Sequence, residues 1–243
     1  MKRLFDVVVT LLAAITWIPA LLISCIAIVV FDGRPVFYVS RRRVYRDQSI
    51  DVYKFRTMRR DADKIANRQT IPQEGVRFLN IPNDSPLYTR VGRMLEILCF
   101  TELPQLIHVL AGRMSLVGNR PLPENVVVAI RRDYPQVEER FDTPAGLTGP
   151  VQLAGRDRLS DAERLALEIH YCRLARSAYS MRLDFLILLY TVMVIARVRR
   201  SFTFAEIEQF LAGFGTRARS VDPAVRQEAR VEAVVAVEPL SDR

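Results

Sequence analysis

From Val7 to Phe31 the chain carries no charged residue, reading VVVTLLAAITWIPALLISCIAIVVF. Crossing a bilayer takes about 20 apolar residues, so this run is long enough. A cleaved leader is the weaker reading. Its apolar part would be shorter and followed by small residues, whereas Asp32, Gly33 and Arg34 come next. Two features complicate a simple span. Pro19 sits in the middle, where its ring and missing N–H favour a kink or break. Both flanks are basic: Lys2 and Arg3 precede the run, and Arg34, Arg41, Arg42, Arg43 and Arg46 follow it. Basic flanks prefer the cytoplasmic side. A straight helix cannot keep both there, but a helix broken at Pro19 that enters and leaves by one face can. Non-helical backbone at depth is costly unless covered, so such a break must be local. On these residues alone, a straight anchor with a tolerated proline and a re-entrant helix remain equally open.

The 243 residues suffice for one domain or for one domain plus appendages. Half of all residues are hydrophobic and the net charge is +8. A basic balance suits nucleic acid, anionic lipid or phosphorylated small molecules. Cys25, Cys99 and Cys172 lie far apart and form no CxxC pair, against a disulfide framework or zinc ribbon. His108 and His170 are the only histidines, too few for a His-rich metal site.

PVFYVSRR and SIDVYKFRTM alternate like strands between turn signals. Asp61 to Asn83 reads as a helix start followed by a loop. Leu87 to Leu110 reads as two helical pieces, with Pro104 in the first turn of the second. GNRPLP is a turn, Glu124 to Arg140 an amphipathic helix, and TPAGLTGPVQLAGR, rich in Gly and Pro, a loop. SDAE offers Ser160 and Glu163 as a capping box for a helix towards Ala175. Phe185 to Ala196 is apolar but too short to span, so a core or interface helix is expected. Ser201 to Gly213 suits an amphipathic helix, and a charged, Ala/Val-rich tail runs from Thr216.

Six strings, taken in order, resemble the bacterial sugar transferase family, the monotopic polyprenyl-phosphate phosphoglycosyl transferases. They are KRLFD (Lys2 to Asp6), the apolar run with its central proline, VYKFRTM (Val52 to Met58), RVGRMLEILCFTELPQ (Arg90 to Gln105), MSLVGNRPLP (Met114 to Pro123) and PAGLTGPVQLAGR (Pro144 to Arg156). The resemblance covers about residues 1–198. It implies an α+β, membrane-anchored fold, with a re-entrant N-terminal helix over 1–32 broken at Pro19. A small, mainly helical cytoplasmic domain over 33–198 would carry a short β element and amphipathic interface helices. An amphipathic helix (199–215) and a mobile tail (216–243) would follow. It also implies transfer of a phosphosugar from a nucleotide diphosphate sugar to a polyprenyl phosphate, at the cytoplasmic face of the bacterial inner membrane. In the family an Asp attacks the sugar-bearing phosphate, helped by the adjacent Glu and magnesium. A carboxylate is ionised at neutral pH and serves as nucleophile, while arginines and a hard cation neutralise phosphate charge.

Here the nucleophile position holds Thr101, followed by Glu102 as the expected catalytic and magnesium residue. The Arg five residues before the nucleophile is Glu96, and the first Pro of the PRP signature is Asn119. A threonine hydroxyl is a poor nucleophile without a base. Neighbouring helical side chains diverge by about 100°, so Glu102 is badly placed to serve it. Three outcomes stay open: lost chemistry, direct attack by the acceptor phosphate, or Thr101 as nucleophile. Lys54 and Arg56, expected on one strand face, together with Arg93, Arg120, Arg156 and Gln152, are the candidate phosphate and substrate contacts. Arg41 to Arg43 suit a membrane-surface patch. Membrane lipid, polyprenyl phosphate and a nucleotide diphosphate sugar are the expected partners. Homo-oligomerisation is left open. A non-catalytic scaffold that binds these ligands is the competing reading. A nucleic-acid binder, suggested by charge alone, lacks an aromatic-interleaved basic platform.

Overall fold

The computed structural model describes residues 1–62, 85–155, 159–177 and 179–215. The apolar run forms α1 (Lys2–Leu12) and α2 (Ala14–Ala27), the latter continued by a π-helical segment, Ile28–Asp32. The interruption lies at Ala13, not at the expected Pro19, which sits inside α2. Proline removes one hydrogen bond and kinks a helix, but in apolar surroundings it need not end one. At Ala13 a side chain competes instead. The Thr10 carbonyl, which a continuous helix would offer to the Ala14 N–H, accepts the Trp17 indole N–H at 3.0 Å. The stretch Ala14–Asp32, 19 residues, is long and apolar enough to cross a membrane. Ile15, Leu22, Ile23, Ile26, Val30 and Phe31 project from it, exposed.

Both ends of the run dock on one body. Lys2 donates to the Val117 carbonyl (2.8 Å) and to buried Asp184 (2.6 Å). Arg3 donates to the Leu110 carbonyl at 2.6 Å. Asp6, buried, accepts from the Ser115 hydroxyl at 2.9 Å and the Leu116 N–H at 3.0 Å. The opening KRLFD is therefore a docking clamp rather than merely a basic flank. At the far end Ile28 joins Phe55, Val91 and Leu95 in a core cluster, with Leu21 and Cys25 against it.

The expected strands form a hairpin, β1 (Phe37–Tyr45) and β2 (Gln48–Phe55), paired so that Tyr38 faces Lys54 and Arg42 faces Ile50. Leu87 to Leu110 divides as anticipated into α3 (Arg90–Ile97), a 3-10 turn (Leu103–Gln105) and α4 (Leu106–Leu110). Thr89 caps α3 by accepting the Gly92 N–H at 2.9 Å. Gly92 is required because a Cβ there would lie 2.0 Å from the Thr57 carbonyl oxygen. β3 (Ser115–Val117) pairs in parallel with β4 (Gly146–Thr148), a strand within the stretch read as loop. Its signal was masked by the glycines that permit the pairing, since a Cβ on Gly146 would meet the Gly118 nitrogen at 2.1 Å. α5 (Glu124–Asp133) stops short of the expected Arg140, because Pro135 opens a 3-10 turn (Pro135–Phe141). A further 3-10 turn (Pro150–Ala154) leads to α6 (Asp161–Ser177), where Ser160 and Glu163 cap each other as anticipated, at 3.3 Å and 2.9 Å. α7 (Met181–Ile195) and α8 (Phe204–Ala212) are the last elements of the described residues, and Thr203 and Glu206 form a second capping box. Leu116, Val117, Leu153, Leu167, Tyr171, Ile187, Ile207 and Leu211 form the main core under the parallel pair. The loop expected after Asp61, the tail from Thr216 and Arg156 lie outside the described residues.

Candidate functional site

Three segments bring charge together. β2 delivers Lys54 near its end, and the next residue, Phe55, donates its N–H to the Thr101 carbonyl at 2.9 Å. That bond draws the Thr101–Glu102 segment alongside the strand. The segment reaches this position because α3 ends in a Schellman turn. Phe100 N–H bonds the Leu95 carbonyl (2.9 Å) and Cys99 N–H the Glu96 carbonyl (3.2 Å), with Cys99 at φ 57°. The third segment is the loop carrying Arg120. It is held by the Arg43 N–H to the Leu122 carbonyl (2.8 Å), by Arg42 to the Pro121 carbonyl (3.0 Å) and by Arg140 to the Arg120 carbonyl (2.9 Å).

Glu102 is the centre. One carboxylate oxygen takes the Lys54 ammonium at 2.6 Å and an Arg120 nitrogen, and the other takes a second Arg120 nitrogen at 3.2 Å. The Glu102 and Lys54 side chains are about four-fifths buried, while Arg120 is over a third exposed. Burial pushes the Glu102 carboxyl up, but the charges of Arg120 and Lys54 outweigh it and hold the group well below the usual carboxylate range. Burial and the Arg120 charge act against the Lys54 ammonium and outweigh the help of Glu102, bringing it down to about 8. The trio carries a net charge of about +1 at neutral pH. It is a net-positive cluster with a built-in counter-ion.

The other candidates divide. Thr101 is buried, and among the described residues no hydrogen bond joins its hydroxyl to Glu102. Arg56 lies beyond the strand end and does not join the Lys54–Glu102–Arg120 cluster. It grips the helix end instead, donating to the carbonyls of Asp32 (2.8 Å) and Gly33 (2.6 Å). Arg93 is exposed on α3, with a nitrogen 3.4 Å from the Ser85 carbonyl. Gln152 lies beside the Arg120 loop. Its side-chain oxygen is 3.2 Å from where a Cβ on Gly149 would sit, and is buried without a partner among the described residues. Glu96 accepts the Thr57 hydroxyl at 3.4 Å.

The Arg41 to Arg43 patch is not uniform. Arg43 is buried and paired with Glu138 at 2.5 Å, Arg41 is exposed beside Asp51, and Arg42, opposite Ile50 on the same strand face as Lys54, adds positive charge that lowers the Lys54 pKa. Sequence reading missed Arg42 as a site neighbour, although strand alternation puts it on the same face as Lys54. It also missed Arg140, a buried strut that donates to Glu168 at 2.6 and 2.7 Å. Asn119 turns inward and donates to the Arg140 carbonyl (2.9 Å) and the Glu168 carbonyl (3.1 Å), so this departure from proline ties the loop to that strut.

A divalent cation fits this set poorly. The single carboxylate at the centre already has both oxygens in charge-assisted bonds. A dication about 4 Å from all three groups would be repelled by about 8 kcal/mol from each of Lys54 and Arg120 and attracted by about as much to Glu102, a net repulsion of about 8 kcal/mol at an effective dielectric constant of about 20.

The chain matches the family model described as bacterial sugar transferase over residues 1–198. It is 32% identical over 206 residues to the exopolysaccharide production protein ExoY of Sinorhizobium fredii, covering 83% of this chain and 88% of that protein. The undecaprenyl-phosphate glucose phosphotransferase of Komagataeibacter xylinus is 32% identical over 202 residues, 79% of this chain and 35% of its own. The undecaprenyl-phosphate galactose phosphotransferase of Salmonella typhimurium is 30% identical over 202 residues, 81% and 40%.

Proposed function

Because the chain belongs to the bacterial sugar transferase family, we propose that it passes a phosphosugar directly from a nucleoside diphosphate sugar to a polyprenyl phosphate during polysaccharide assembly. The observation that carries this reading is the Lys54–Glu102–Arg120 cluster, which offers phosphate-binding cations but no nucleophile with a free base beside it. Direct transfer needs neither. A phosphate monoester has its second pKa at about 6, so the acceptor oxygen is already anionic at neutral pH. It attacks the sugar-bearing phosphorus, and the bond to the nucleoside monophosphate breaks. The leaving group departs as a phosphate anion, so no general acid is required. Lys54 and Arg120 neutralise the charge that spreads over the transferring group, the usual contribution of fixed cations to phosphoryl transfer. Glu102 holds both cations in register.

The apolar run supplies the membrane attachment. We read it as re-entrant, with the folded domain on the cytoplasmic face of the bacterial inner membrane. Lys2, Arg3 and Asp6 at one end, and Ile28, Asp32 and Gly33 at the other, meet the same body, which supports a re-entrant run over a straight crossing. The basic residues at both ends favour the cytoplasmic side.

The test is the full chain in detergent with a panel of nucleotide sugars and a polyprenyl phosphate. Nucleoside monophosphate should appear only when acceptor is present, matched by lipid-linked product, with no change in the protein's intact mass. Release of one equivalent without acceptor, with a mass adduct that Thr101→Val lacks, means a covalent route through Thr101. Binding of donor with no release from any sugar means a scaffold.

A further inference from the structure

We propose that Lys54 fills the place of a divalent cation, so that this chain binds the diphosphate of its donor without metal. The inference rests on the reading of the cluster as a diphosphate site and deepens it. A metal ion bridging a diphosphate needs open carboxylate oxygens on the protein side. The residue before Glu102 is Thr101, which offers no carboxylate, and both Glu102 oxygens are bonded to cations. A metal would have to displace Lys54 or Arg120 from Glu102, and then stand beside two cations that remain tethered.

The same geometry suits a bare anion. The Lys54 ammonium offers three donors and the Arg120 guanidinium a planar fork, and each uses only some of them on Glu102. A diphosphate can engage the remaining donors. Arg42, on the same strand face as Lys54 and anchored to the Pro121 carbonyl, adds positive potential. Glu102 keeps the two cations from repelling each other before the ligand arrives. A point charge on a side chain thus replaces a point charge in solution.

Two probes test this on the full chain in detergent. The first is Mn2+ alone, followed by the paramagnetic resonance signal of the free ion. Wild type should retain no equivalent of Mn2+, whereas Thr101→Asp with Lys54→Met should gain one. One Mn2+ held per wild-type chain and lost in Glu102→Gln overturns the proposal. The second probe is inorganic pyrophosphate, measured by calorimetry in EDTA. It should bind, Lys54→Met should weaken it by about tenfold or more, and Lys54→Arg should retain most of the affinity, as expected for charge-assisted bonds. Failure to bind in EDTA overturns the proposal whether or not Mg2+ restores binding. Turnover measured in parallel separates the two readings. Transfer that stops in EDTA and returns with Mg2+ defeats metal independence alone. Pyrophosphate binding in EDTA with no turnover from any donor defeats the transferase reading alone.

Discussion

The strut beneath the Arg120 loop gives the sharpest stability prediction. Arg140 and Glu168 are joined by two hydrogen bonds, at 2.6 and 2.7 Å, with side chains 1% and 6% exposed. Glu168→Leu leaves the guanidinium buried without its counter-charge. Breaking a buried pair from one side costs about 3–5 kcal/mol. For a domain of this size each kcal/mol moves the thermal midpoint by about 2–4 °C, so a fall of about 10 °C is expected. The damage should also reach the site, because Arg140 holds the Arg120 carbonyl and Asn119 bonds the backbone of both partners. Pyrophosphate binding should therefore weaken in folded protein below the new midpoint. Replacing both members, Arg140→Met with Glu168→Leu, removes the stranded charge and should recover most of the midpoint, since an apolar pair of similar volume is often neutral. The assay is the apparent unfolding midpoint in one detergent at one scan rate. A Glu168→Leu shift below about 2 °C, or a double variant no better than the single one, would refute the reasoning.

Cys99 sits at φ 57°, a left-handed position that costs a non-glycine residue about 1–2 kcal/mol, partly offset by glycine's greater chain entropy. Cys99→Gly should raise the midpoint by a few degrees and Cys99→Val should lower it, read by the same thermal scan. Lys54 is held down to about 8, so pyrophosphate affinity should fall as pH rises through that value, while Lys54→Arg, which keeps its charge, should remove the fall. With the helix interrupted at Ala13 and the clamp at Lys2 and Asp6, Pro19→Ala should leave the N-terminus where it is. Asp6→Ala together with Lys2→Met should free it, as judged by labelling of a cysteine placed at position 1.

Much of this was legible in the sequence because the signals were local. The two strands, though not their pairing, followed from alternation, the α6 cap from Ser160 and Glu163, and the division before Pro104 from proline geometry. What stayed hidden depended on partners far along the chain. β4 has three residues and two of its neighbours are glycines, so only its pairing with β3 makes it a strand. Pro19 looked like the break, yet an indole seven residues from Thr10 decided the matter at Ala13. The motif strings predicted that Lys54, Glu102 and Arg120 belong to one site, and the cluster joins them. They could not reveal that Arg56 would be spent on the helix end, or that Arg42 and Arg140 would support the site. Those roles depend on which way a side chain turns once the loop of Arg120 is packed against the hairpin.

The central claim is a single displacement at phosphorus, and stereochemistry tests it directly. A donor whose sugar-bearing phosphate is made chiral with sulfur and oxygen isotopes is turned over, and the configuration of the lipid-linked product is read. One direct transfer inverts the phosphorus, so the account predicts inversion. Retention would mean two displacements through an enzyme-bound intermediate, and would contradict it.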